Sequence, residues 1–108
     1  MAKTISQRFF EVNRGERRAP LKFSVHELDD GSTAVSSIHP YDETKYHWAS
    51  KSAGQAHWRI IRDRRVVSSV GSFIGGAAAD APLTPEQVAY FLIKADEDAH
   101  LSRTGGIW

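Results

Sequence analysis

Cysteine is absent from this chain. With no thiol there is no disulfide, no thiolate nucleophile and no cysteine-based zinc site, so the fold must rest on packing alone. Long apolar runs are missing too. The most apolar stretches, residues 66–79 and 88–93, are too short or too rich in Ser and Gly to cross a bilayer. The opening MAKTISQRFF lacks the apolar centre of a secretory signal, which makes a cytoplasmic protein with no membrane partner the expectation. Neither sign of charge dominates. Fourteen Lys and Arg stand against thirteen Asp and Glu, and pI ≈ 8.1 is modest for a dedicated nucleic-acid domain. The compact catalytic motifs are missing: no P-loop, no dinucleotide-binding glycine signature and no HExxH, while Ser72 lacks a nucleophile elbow around it.

What remains is an ordinary globular composition. The 108 residues suit one domain spanning 1–108, and 41% hydrophobic residues with five Phe, three Tyr and three Trp supply a single core. Leu21, Phe23 and Val25 alternate with Lys22, Ser24 and His26, the period of a half-buried strand. Asp29, Asp30, Gly31 and Ser32 then make a turn, and residues 33–38 resume a β-prone run, so 21–38 reads as a hairpin. Near the C-terminus Thr84 is a helix cap and Pro85 sits where a missing N–H costs nothing. Val88, Phe91, Leu92, Ala95 and Ala99 follow as an apolar stripe that Tyr90 and Ile93 widen. The expected fold class is therefore α+β: a small antiparallel sheet of hairpins packed against a C-terminal amphipathic helix.

Two segments carry alternatives. Residues 4–12 read as a short helix, since Thr4 and Gln7 have capping-box spacing and Ile5, Phe9 and Val12 share a helical face. A strand is the rival, and the helix is preferred. Between 47 and 65 the pair His47-Trp48 recurs as His57-Trp58 around Lys51, Ser52, Ala53 and Gly54. Those four residues as a turn make a hairpin in which His47 faces Trp58. Ser52 and Gln55 as a capping box make a helix instead.

For function, the leading expectation is a non-catalytic protein-interaction module of regulatory or adaptor kind, self-associating in one version. It rests on charge blocks and on Trp, Tyr and Arg that interfaces favour. The blocks are +4 over residues 1–22, −3 over 23–58, +3 over 59–79 and −3 over 80–108. The residues expected to meet a partner are Arg17, Arg18, Trp48, Trp58, Arg62, Arg64, Arg65 and Trp108, the last as part of an apolar tail with Ile107. The first alternative is nucleic-acid binding by two clusters, Arg14, Arg17 and Arg18 with Arg59, Arg62, Arg64 and Arg65, opposed by the acidic run Asp96, Glu97 and Asp98. The second is a small enzyme built from His39, His47 and His57 with Asp42, Glu43 and Asp63. The spacing of those histidines matches no ligand signature, so no metal and no cofactor is expected.

Overall fold

A computed structural model of the chain describes residues 3–17, 19–38, 44–71 and 83–104, the last four by backbone alone. Six strands follow one another: β1 (Thr4–Val12), β2 (Leu21–Leu28), β3 (Thr33–Ser37), β4 (Trp48–Lys51), β5 (Trp58–Arg62) and β6 (Arg65–Val70). Helix α1 (Pro85–Thr104) comes last. Every strand pairs antiparallel with its neighbour in sequence, giving a single open sheet in the order β1-β2-β3-β4-β5-β6. The α+β class holds, and so does the 21–38 hairpin, with Val25 opposite Val35.

The first segment is a strand, which corrects the short N-terminal helix. Its helical spacing is real, but the long ladder to β2, with Phe10 opposite Phe23, pairs the inward-facing half of its backbone groups and buries Val12. The rings of Phe10 and Phe23 stack with centroids 5.5 Å apart. The 47–65 region is likewise a hairpin and not a helix, but in a different register from the one the repeat suggests. Trp48 lies opposite Ile61 and Ser50 opposite Arg59, because the connection runs over the six residues 52–57 and not over the four of the expected turn. The bond from Gln55 N–H to Ser52 C=O, 3.1 Å, closes a turn there instead of starting a helix.

One face of the sheet is covered by α1, which packs against β1, β3 and β4. Val88, Ala89 and Leu92 of the helix join Val12, Phe23, Val25, Val35, Ala49, Trp58, Ile60 and Leu83 in one apolar core. Trp58 donates its indole N–H to Leu83 C=O at 2.9 Å, tying the segment before the helix to the start of β5. The helix begins with a capping box: Gln87 N–H donates to Thr84 Oγ1 and Thr84 N–H to Gln87 Oε1. Arg8 of β1 donates to Glu86 in the first helical turn and holds that carboxyl below its usual range. The expected apolar stripe is buried only at Val88 and Leu92, with Phe91, Ala95 and Ala99 partly exposed. Tyr90 is exposed, and from Lys94 to His100 no side chain is fully buried.

Because strand direction alternates, the connections fall at two opposite ends of the sheet. The links β1–β2, β3–β4 and β5–β6 lie at one end, and β2–β3 and β4–β5 at the other. At the second end Gly31 has φ 86°, and a Cβ there would meet the Ala53 side chain at 3.0 Å, so the two turns pack closely. At the first end the β5–β6 hairpin turns on only Asp63 (φ 52°) and Arg64 (φ 61°). Two positive φ values are the geometry of the tight turn whose twist suits a hairpin, where Asn-Gly or Asp-Gly is usual. Arginine pays a Cβ clash that glycine lacks. Arg64→Gly is expected to raise the unfolding free energy by about 1 kcal/mol, read from urea denaturation. A variant no more stable than the native chain counts against strain in this turn.

Candidate functional site

The face of the sheet turned away from α1 is built by the residues that alternate with the core. They are Gln7, Phe9 and Glu11 on β1, Lys22, Ser24 and His26 on β2, and Ala34 and Ser36 on β3. Trp48 and Ser50 on β4, Arg59 and Ile61 on β5 and Val66 on β6 continue it. Strand sterics put successive side chains on opposite faces, so each core residue above implies its neighbour here.

Near β1 this face is shaped. Phe9 is 61% exposed. It borders one hollow of about 460 Å³ with Phe10, Glu11, Lys22 and Ile38, and another of about 250 Å³ with Gln7, Ser24, His26, Ser36, Ser37 and Ile38. In the second hollow Ser24 Oγ lies 3.1 Å from His26 Nε2 and 3.3 Å from Ser36 Oγ. The hydroxyls and imidazole form a small donor and acceptor floor beside an aromatic ring. A serine–histidine contact is also the start of a nucleophilic site, which needs a group orienting the imidazole and donors for an oxyanion. Neither is placed around His26 among the described residues. Across the sheet, Trp48, Ile61 and Val66 form an apolar cluster, and the Trp48 indole N–H is buried without an acceptor among the described residues.

The two described histidines named from sequence, His47 and His57, stand before antiparallel neighbours β4 and β5 and so at opposite ends of the sheet. His47 is buried, and its Nδ1 lies 2.7 Å from Asp96 Oδ1, which also accepts from the His47 backbone N–H at 3.0 Å. This joins the start of β4 to the middle of α1. His57 is exposed, Asp63 sits in the β5–β6 turn, and His39, Asp42 and Glu43 fall outside the described residues. No group of three His, Asp or Glu is placed to hold a metal ion among the described residues.

The expected partner-binding residues divide. Trp58, expected at a partner surface, is 1% exposed and lies in the core. Trp48 lies on the helix-free face and is half-buried. Arg17 is exposed in the β1–β2 loop, where Arg14 donates from Nε and Nη2 to Ala19 C=O. Arg62 donates to Thr44 C=O, and Arg64 and Arg65 lie at the β5–β6 turn. Arg18, Ile107 and Trp108 are outside the described residues. Phe9 and the Ser24–His26 pair were not singled out from sequence. The signal for them was the alternation of 21–26, extended by pairing onto β1.

No family model, curated protein or solved structure matches this chain. No described helix is long and apolar enough to cross a membrane. The reading of function therefore rests on the surfaces themselves.

The His47–Asp96 contact makes a stability prediction. Asp96→Ala removes the acceptor from two donors, one buried, and is expected to cost about 1–3 kcal/mol, whereas Asp96→Asn keeps an acceptor and costs less. Chemical denaturation of both variants checks this order, and equal stability of Asp96→Ala and the native chain would remove the contact from the fold's energetics.

Proposed function

We propose that the chain is a non-catalytic interaction module that takes an extended segment of a partner protein along strand β1. The observation that carries this reading is the coincidence, on one edge strand, of a regular ladder and a shaped side-chain surface. β1 ends the sheet, pairing only with β2 among the described residues. From residue 6 to residue 12 its register is uninterrupted, the irregularity being confined to Ile5. An edge of that kind presents N–H and C=O groups in order, and adding a strand to it is a common mode of peptide recognition.

The other edge is less suited. β6 carries an extra residue, Val67, between Val66 opposite Ile61 and Ser68 opposite Ile60, and it starts with an arginine. Bulges and charges of this kind are how edges are kept from pairing.

Side chains supply selectivity beside β1. In an added strand, residues two apart stand about 6.8 Å from each other on one face. Two such residues flank Phe9 and reach the hollow on each side of it. The larger hollow, with Phe9, Phe10, Ile38 and the stem of Lys22, favours an apolar side chain. The smaller one, with Ser24, His26 and Ser36, favours a hydroxyl or amide. The partner segment is thus an apolar residue and a small polar residue separated by one position in an extended chain.

Selection of displayed nine-residue peptides against the full chain tests this. The expected result is enrichment of that alternating pattern, with amide shifts in the bound protein concentrated in residues 6–12, 24, 26 and 36. Phe9→Ala is expected to weaken the selected peptides about tenfold, roughly the 1.4 kcal/mol that lost ring contact is worth, with the unfolding midpoint unchanged because the ring lies outside the core. Peptides that map to another surface overturn the proposal. Shifts in residues 6–12 that appear on concentrating the protein alone replace the partner with a second copy of the chain.

A further inference from the structure

We infer that the sheet end formed by the β1–β2, β3–β4 and β5–β6 connections is a binding edge for single-stranded nucleic acid. Arg14 and Arg17 lie far in sequence from Arg62, Arg64 and Arg65, yet the meander returns these five to the same end, while Arg59 stays near the other, bonded to Ser52. The described residues there are Arg14 and Arg17 in the first connection, Lys45 in the second, and Arg62, Arg64 and Arg65 around the third. Against these six cations stand Glu16 and Asp63. Arg18, Asp42 and Glu43 of the same connections lie outside the described residues.

Spacing follows from the sheet. Neighbouring strands are about 4.8 Å apart, so successive connections at one end are about 10 Å apart and the outer two about 19 Å apart. That is a row of positive charge across the whole rim, long enough for several phosphates of one strand. The row is also held. Arg14 is fixed to Ala19 C=O in its own loop, and Arg62 bonds to Thr44 C=O, fastening the end of β5 to the neighbouring connection. At the far end Arg64 occupies a left-handed position where glycine is less strained. A cation kept at the tip of a turn against local preference is the kind of outlier that accompanies function.

Two acids of the run on α1 are engaged elsewhere, Asp96 accepting from His47 and Asp98 pairing with Lys94 at 3.4 Å, while Glu97 borders a hollow with Arg14 and offsets part of the charge of the first connection. A single strand fits better than a duplex because of what sits in the middle of the rim. Tyr46, 43% exposed, lies in the central connection between the two arginine clusters. An unpaired base can stack on such a ring, whereas the bases of a duplex are closed to it.

The test is fluorescence anisotropy of the full chain with labelled oligothymidylate and oligouridylate about twelve nucleotides long, with a duplex of the same length and with polyglutamate. Binding of either single strand, weakening about 50-fold between 50 and 200 mM salt for some four phosphate contacts, is the expected result. The pair Arg17→Glu and Arg65→Glu is expected to abolish it, and Tyr46→Ala to weaken it about tenfold. Arg64→Gly separates binding from folding, since it should bind several-fold more weakly while unfolding at higher urea. Phe9→Ala should leave binding unchanged, so this inference and the β1 proposal fail independently. Equal or tighter binding of the duplex or of polyglutamate overturns the inference, as does binding that survives reversal of Arg17 and Arg65.

Discussion

Among the described residues one helix has to close a sheet of six strands, and most of the structure follows from that mismatch. The contact is made by Val88, Ala89 and Leu92 seated over Phe23, Val25, Val35 and Ala49. A helix with its side chains is about 10–12 Å across, the width of two to three strands at about 4.8 Å each. It covers one face from β1 to β4 and, among the described residues, leaves the opposite face without a helical partner. The chain extends the closure in two places. Leu83 and the Trp58 indole carry the core outward beneath β5, and Arg8 with Glu86 fastens the helix start beneath β1. His47 and Asp96 fasten the helix near the β3–β4 connection. Charged and hydrogen-bonded ties of this kind set position more than they add stability, which still comes from the buried apolar area.

Elements whose local preference agreed with their tertiary place were legible before the structure. The alternation of 21–26 fixes which side chains are buried, and a turn of Asp, Asp, Gly and Ser leaves little choice of register, so β2 and β3 pair as expected. Thr84, Pro85 and Gln87 mark the helix start by chemistry that acts within one turn. The first segment was misread because Ile5, Phe9 and Val12 satisfy a helical spacing while Phe10 and Val12 satisfy a strand. Only a partner decides between them, and Phe23 across the ladder is that partner. The recurrence of His-Trp at ten residues was a weak guide to register for a related reason. Turn length, which composition does not fix, moved Trp48 opposite Ile61.

The two tryptophans show why a binding surface is harder to read than a fold. Any hairpin through 48–62 with this parity puts Trp48 and Trp58 on opposite faces, and nothing local says which face the helix covers. Trp58 went to the core, with its N–H satisfied by Leu83. Trp48 went to the other face, with its N–H buried and unmatched among the described residues. The same choice exposes Phe9 while burying Val12 on one strand. A residue type that interfaces favour is thus only a candidate until the helix has chosen its side. The hollows at Phe9 belong to the side it did not choose.

Charge obeys a different rule, since it is set by strand direction and not by face. In a meander, alternate connections share an end, so a sequence that places cations in every second connection builds one charged rim without any cluster in the linear chain. The blocks of positive charge over residues 1–22 and 59–79 are separated by a net acidic stretch, and in sequence they look like unrelated patches. Three strand reversals bring Arg14 and Arg17 of the first and Arg62, Arg64 and Arg65 of the second to a single end. The acidic turn at Asp29 and Asp30, one reversal away from the first cluster, falls at the opposite end by the same logic. The sheet is therefore polar along its strands as well as between its faces. The rim carries the charge and β1 the shaped surface, and the two are set apart by the geometry that the one-sided core imposes.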